Sequence, residues 1–200
     1  MPRVTALRAP GPGRVAVELD DAYWRTLPLE VVVRARLRVD EDLDRPRVRL
    51  LRRELRRHEA LDAAERALRH RDRSEHELDQ RLARRGVTAG ERADALAALG
   101  RAGLVDDVRF AANRARALAE RGWGDTAIRV ELERHRVKAE AAEAALAELE
   151  PERERAARLL LRRGGGTTTA RYLTARGFDE EAVEAALAAL VADDPGAALR

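Results

Sequence analysis

Ser74-Glu75-His76-Glu77-Leu78-Asp79-Gln80-Arg81-Leu82-Ala83-Arg84-Arg85-Gly86-Val87-Thr88-Ala89-Gly90-Glu91 begins with a Ser-x-x-Glu, halts at a glycine and restarts on a Thr-x-x-Glu. In such capping boxes the hydroxyl accepts from a backbone N–H one turn on, and the glutamate reaches back to the cap. Gly86 stands where a helix ends in a left-handed residue, just before Val87. The stretch therefore predicts a short helix carrying Leu82, a tight turn, and a second helix from Thr88. On either side of Leu82, leucines stand at Leu68 and at Leu96 and Leu99. The same offsets recur around Leu132 (Leu118, Val137, Leu146, Leu149) and around Leu173 (Leu159, Phe178, Leu187, Leu190). Leu82 and Leu132 lie farther apart than Leu132 and Leu173 while the internal offsets hold, so the length varies between units and not within them.

Each unit reads as three short helices: one ending near the first leucine, one carrying the anchor, one carrying the closing pair. Asp106-Asp107 starts the second unit's first helix, and Asp179 caps the last helix of the third. Gly177 repeats the place of Gly86, whereas the middle unit has Arg136 there, where a side chain incurs a steric penalty that glycine does not. Three tandem three-helix repeats, each burying one apolar stripe against its neighbours, predict a mainly α protein in an elongated, curved array.

The N-terminal segment has another character. Val4-Thr5-Ala6-Leu7 and Arg14-Val15-Ala16-Val17-Glu18-Leu19 are β-like runs around the breaker Ala9-Pro10-Gly11-Pro12-Gly13, and Tyr23–Leu27 comes after the Asp20-Asp21 turn as a third strand. This predicts a small β lobe with a longish hairpin loop, packed on the segment next to it in the chain. From Pro28 the pattern turns helical, with Leu29, Val32, Val33 and Leu37 on one face. Asp44 caps the next segment, which reads equally as one long helix or as two joined near His58. The expected division is a β lobe with connecting helices over residues 1–59, repeats over 60–103, 104–150 and 151–192, and a tail over 193–200.

The 200 residues include 39 Lys plus Arg, 36 Asp plus Glu, no cysteine and 3% aromatics. Without cysteine there is no disulfide framework or thiolate nucleophile. The start has no apolar signal region and no stretch is apolar enough to span a bilayer, so a cytoplasmic, soluble chain is expected. His58, His70, His76 and His135 lack metal-ligand spacing. Gly164-Gly165-Gly166-Thr167-Thr168-Thr169 lacks the lysine and preceding strand of a phosphate loop and reads as a connector whose threonines cap the next helix. The adjacent carboxylates Asp20-Asp21, Asp106-Asp107 and Asp193-Asp194 suit turns and caps better than acid/base chemistry. No catalytic residue, cofactor or metal is expected.

Charge is more informative. Lys138 is the only lysine, and Arg45, Arg47, Arg49, Arg52, Arg53, Arg56 and Arg57 face only Glu54 along their segment. That density suits phosphate contact or, equally, a solvated helix face packed by arginine stems. Further arginines cluster toward the ends of the anchor helices: Arg81, Arg84 and Arg85, then Arg134, then Arg176. Positive charge there complements the helix dipole, so they serve structure or a partner. Trp123 in Arg121-Gly122-Trp123-Gly124 is a core filler or an interaction anchor. The partner-binding candidates are Arg52, Arg53, Arg56, Arg57, Arg81, Arg84, Arg85, Arg121, Trp123, Arg134 and Arg176.

Arg73-Ser74-Glu75…Glu77-Leu78…Leu82…Gly86-Val87, Gly103-Leu104-Val105-Asp106-Asp107-Val108-Arg109-Phe110-Ala111 with Arg121-Gly122-Trp123-Gly124…Ile128…Glu131-Leu132, and Tyr172-Leu173…Arg176-Gly177-Phe178 resemble the three repeats of the RecX family of bacterial recombination regulators. The segment from Val4 to Tyr23 is similar to the β-stranded extension of longer members, so the resemblance covers nearly the whole chain. Arg136 and the stretch Gly164–Thr169 depart from the family pattern. The resemblance implies a protein that binds RecA, enters the groove of the RecA–DNA filament, and restrains recombinase, ATPase and coprotease activities in DNA repair and the SOS response. Two other readings stay open: a direct, weak DNA binder using the arginine-rich helix, and a helical scaffold for an unrelated protein. A monomer without a membrane partner is expected.

Overall fold

The computed structural model describes residues 1–164 and 166–193, so Gly165 and most of the expected C-terminal tail, residues 194–200, lie outside the described residues. Three antiparallel strands, β1 (Val4–Gly11), β2 (Arg14–Leu19) and β3 (Ala22–Pro28), form a sheet in that order. Val4, Val15, Val17 and Leu27 are buried from it against Val31, Val32, Leu37, Leu43 and Leu51. The hairpin is tighter than expected: β1 runs through Ala9-Pro10-Gly11, and Gly11 pairs with Arg14 across Pro12 and Gly13. Pro10 is accommodated because it falls where the pairing of the edge strand β1 with β2 is irregular, between the pairs Arg8–Ala16 and Gly11–Arg14.

The next helix, α1 (Leu29–Arg34), is short, and its buried residues are Val31 and Val32. Leu29 and Val33, expected on the core face, are exposed. Arg36 takes φ 50° and breaks the helix. Leu37 N then donates to Val32 O at 3.0 Å and its side chain drops into the core from outside the helix. The segment after Asp44 is one helix, α2 (Arg45–Leu68), with Asp44 accepting from Arg47 N at 2.8 Å and Pro46 in the first turn.

The remaining helices are α3 (Glu75–Ala83), α4 (Ala89–Arg101), α5 (Asp107–Glu120), α6 (Asp125–Arg134), α7 (Ala139–Ala147), α8 (Glu152–Arg163), α9 (Thr167–Ala175) and α10 (Glu180–Asp193). Leu82, Leu132 and Leu173 sit on α3, α6 and α9, each at most 1% exposed. The constant offset to Val87, Val137 and Phe178 has a backbone cause. Each of those residues donates its N–H to the anchor leucine's carbonyl, at 3.2, 3.2 and 3.1 Å, closing the helix; Val137 and Phe178 return to the core and Val87 is half-buried. Gly86 and Gly177 are left-handed at φ 77° and 79°, and Arg136 adopts the same conformation at φ 57°.

Thr88 and Glu91 make the full capping box, and Asp106 accepts from Val108 N and Arg109 N. The threonines after Gly166 do not cap α9 as expected. They lie inside it, and Thr169 turns its hydroxyl back to donate to Gly164 O at 2.8 Å. Among the described residues, no helix is long and apolar enough to cross a membrane.

Two compact units emerge. One comprises residues 1–71 and 78–104; the other comprises 72–77 and the described residues from Val105 on. In the first, α2 packs on α1 and α4. In the second, α5 packs on α6 and α7 around Phe110, Ile128 and Leu132, while α8 packs on α9 and α10 around Leu160, Leu173 and Phe178.

Candidate functional site

In the first unit, the rise and turn of α2 place Arg45, Arg49, Arg52 and Arg56 on one stripe, flanking the face that buries Leu51 and half-buries Val48 and Leu55. Not all seven arginines remain available. Arg47 donates to Ala35 O and Arg36 O and pairs with Glu41, so it ties the loop after α1 to the start of α2. Arg53 lies 3.4 Å from the buried Glu54, and Arg56 bonds Glu91 at 2.5 Å. The hydrogen bond from Arg56 holds the Glu91 carboxyl below the usual range. Arg57 is half-buried, with an Nε lacking a partner. Arg45, Arg49 and Arg52 are exposed and have no ion pair among the described residues. Arg81 is half-buried with a buried, unbonded Nε, and Arg84 and Arg85 are exposed just past α3.

The second unit holds Arg121, Trp123, Arg134 and Arg176. Trp123 is half-buried against the α5–α7 core, and the Arg176 guanidinium lies 5.5 Å from its ring centroid and 5.3 Å from that of Tyr172. Trp123 and Arg176, distant in sequence, are thus brought together. Arg121 is exposed, and Arg134 is exposed with Glu131 at 3.7 Å.

What positions these groups is a polar joint invisible in the sequence. Arg155, 5% exposed, donates to Glu150 O at 3.0 Å and Trp123 O at 2.9 Å, bonds the Asp125 carboxylate, and lies against the Phe178 ring. A buried guanidinium is tolerated because most of its donors meet oxygen. Glu152 serves two helix starts, accepting from Asp125 N at 2.6 Å and Asp179 N at 3.3 Å. Beside it, Gly124 N donates to Arg176 O and Thr126 N to Gly177 O, at 3.0 and 3.1 Å. A Cβ on Gly124 would fall 2.2 Å from the Gly177 backbone. Arg155 escapes detection from sequence because α8 carries arginines all around, and nothing local distinguishes the one that turns inward.

The start of α3 is anchored to this unit as well. Asp107 accepts from Glu75 N at 2.8 Å, Asn113 donates to Asp72 at 3.0 Å, and Ser74, fully buried, accepts from Glu77 N at 3.2 Å. Glu131 bonds Arg114 and approaches His135, and that first hydrogen bond lowers its carboxyl pKa. Among the described residues no group of three or more His, Cys, Asp or Glu could hold a metal ion.

This architecture matches known proteins. A family model described as RecX, second three-helix domain, matches residues 106–146, which run from the Asp106 cap through α5 and α6 into α7. The regulatory protein RecX of Stenotrophomonas maltophilia (strain R551-3) is 36% identical over 126 residues, 58% of this chain and 77% of that protein. That of Halorhodospira halophila is 36% identical over 143 residues, 66% of this chain and 89% of that protein. A crystal structure of a regulatory protein RecX superposes with a TM-score of 0.79 at 21% identity, covering 92% of this chain and 98% of the other. RecX from Lactobacillus salivarius shares the fold at a TM-score of 0.60 and 17% identity, over 68% of this chain and 96% of that one. With the repeat offsets, the capped helix starts and these relatives agreeing, the chain belongs to the RecX family of regulatory proteins.

Proposed function

We propose that this chain binds RecA and the RecA–DNA filament and lowers recombinase, ATPase and coprotease activity, as a non-enzymatic cytoplasmic monomer acting in DNA repair and the SOS response. The observation that carries the reading is membership of the RecX family along most of the relatives' length. The three-helix units supply supporting physics: the joint around Arg155 meets oxygens inside the fold, while Arg84, Arg85, Arg121 and Arg134 are exposed. A modulator of this kind works by differential affinity, since a ligand shifts a population only as far as it prefers one state. The functional division is residues 1–59, 60–103, 104–150, 151–192 and 193–200, with contacts drawn from Arg52, Arg53, Arg56, Arg57, Arg81, Arg84, Arg85, Arg121, Trp123, Arg134 and Arg176.

The test is the single-stranded-DNA-dependent ATPase rate of RecA against increasing amounts of this protein, with binding of the protein to free DNA measured in the same buffer. Loss of ATPase at substoichiometric protein, below the level that occupies free DNA, is expected. Inhibition only as the DNA becomes coated would overturn the reading.

A further inference from the structure

The ladder between β2 and β3 slips by one residue: Val17 pairs with Arg25 but Glu18 pairs with Tyr23, which leaves Trp24 as the extra residue of a β-bulge. In a regular strand Trp24 would point to the face opposite Arg25 and Leu27. The bulge re-aims it, and Trp24, Arg25 and Leu27 together line one hollow with Val48, Leu51, Arg52 and Leu55 of α2. The hollow is about 250 Å³, with an apolar floor, an indole in its wall, arginines at its rim, and no carboxylate among its lining residues. Trp24 is 40% exposed, and Arg25 lies 5.5 Å from its ring centroid. Arg52 is also part of the unpaired trio Arg45, Arg49, Arg52, which runs along α2 away from the hollow.

We infer that this surface holds single-stranded nucleic acid, one base against Trp24 in the hollow and the adjoining phosphates along Arg52, Arg49 and Arg45. An apolar slot with an aromatic plane takes any unstacked base, and guanidinium groups at one-turn spacing suit a flexible anionic backbone. The helix rise separates these arginines by about 4–6 Å along the axis, short enough for neighbouring phosphates. A duplex keeps its bases stacked inside and cannot offer one to the hollow. An acidic peptide would satisfy the arginines but leaves the indole unused. The inference gives the arginine-rich helix a ligand of its own and does not depend on RecA binding.

The experiment uses the full chain without RecA and a fluorescein-labelled oligothymidylate, with anisotropy read across a salt series and tryptophan emission read in parallel with unlabelled strand. Wild type binds with a steep salt dependence and its emission is quenched. Trp24→Ala weakens binding about tenfold, while Trp24→Phe stays close to wild type in affinity but loses the quenching that belongs to Trp24. The triple change Arg45→Gln, Arg49→Gln, Arg52→Gln lowers the slope of log affinity against log salt by about two. All four positions are exposed, and far-UV circular dichroism confirms that the variants fold. Absence of binding at low salt, equal or tighter binding of a duplex, wild-type affinity in Trp24→Ala, or displacement of the strand by an acidic peptide without any change in tryptophan emission overturns the inference. None of these outcomes bears on the RecA reading, because RecA is absent.

Discussion

At the end of α9 the chain turns through Gly177, and at the end of α6 it turns through Arg136, with Phe178 and Val137 closing onto Leu173 and Leu132 in the same way. The hydrogen bonds are nearly equal in length, yet the two turns tolerate different residues. At Gly177 a Cβ would fall 2.5 Å from Ala127 Cβ and 2.6 Å from Ala127 N, so glycine is required by a neighbouring helix as well as by its own φ. Arg136 is exposed, and its turn carries only the local penalty of a left-handed L-residue, about 1–2 kcal/mol. A glycine in a repeat pattern thus has two separate meanings, a dihedral and a distance, and only the second resists replacement.

The largest test of that distinction is Gly177→Ala. Strain at positive φ and overpacking against Ala127 act together, so a loss of about 2–5 kcal/mol is expected in the urea-unfolding free energy. A loss near that of Gly86→Ala, where nothing lies within 4 Å of a Cβ and about 1 kcal/mol is expected, would break the comparison. Next comes the joint beside it. Arg155→Met removes the partner of Trp123 O, Glu150 O and the Asp125 carboxylate and should cost about 3 kcal/mol, read by thermal unfolding. If Arg155→Met proves neutral, the joint adds specificity and not stability.

Arg136→Gly should work in the opposite direction, raising stability by about 0.5–1 kcal/mol once the entropy of glycine in the unfolded chain offsets part of the relief. An unchanged or lower denaturation midpoint would mean that the Arg136 side chain makes up for its own strain. The smallest effect is pH-dependent. Glu131 has its carboxyl pKa lowered first by the Arg114 hydrogen bond, with His135 and Arg134 also facing it. A depressed folded pKa supplies stability above the unfolded value that is lost as pH falls through the folded one. Glu131→Gln should therefore flatten part of the acid limb of stability against pH; Glu143, also lowered by its hydrogen bond from Arg129 but in an exposed, solvent-screened pair, should change that limb less when replaced by Gln. Equal acid limbs in the two variants would remove Glu131 from the account.

Much of this molecule is readable residue by residue. The anchors, their partners five residues on, the Thr88–Glu91 box and the Asp44 and Asp106 caps all involve groups within one or two helical turns, where sequence distance and spatial distance are nearly the same. The sequence misleads where that equivalence fails. Leu29 and Val33 fit a helical stripe, but the stop at Arg36 ends α1 early and gives the core to Val31, Val32 and Leu37. The threonines after Gly166 look like caps, yet Thr169 lies in the third position of α9 with its hydroxyl directed backward. The arginine density of α2 is evident from the sequence; which arginines are tied up by Glu41 and Glu91 is not, because those carboxylates come from outside α2.

Local sequence settles the kind of most elements and where most of them stop, because caps and helix-ending bonds are satisfied within a few residues and need nothing distant. Long-range packing alone explains why Gly124 must be glycine at an ordinary φ, why Arg155 turns inward among outward-facing neighbours, and why Trp24 leaves its expected face. Each depends on a backbone or side chain many residues away, whose approach is set by the packing of whole elements and has no period or motif to announce it.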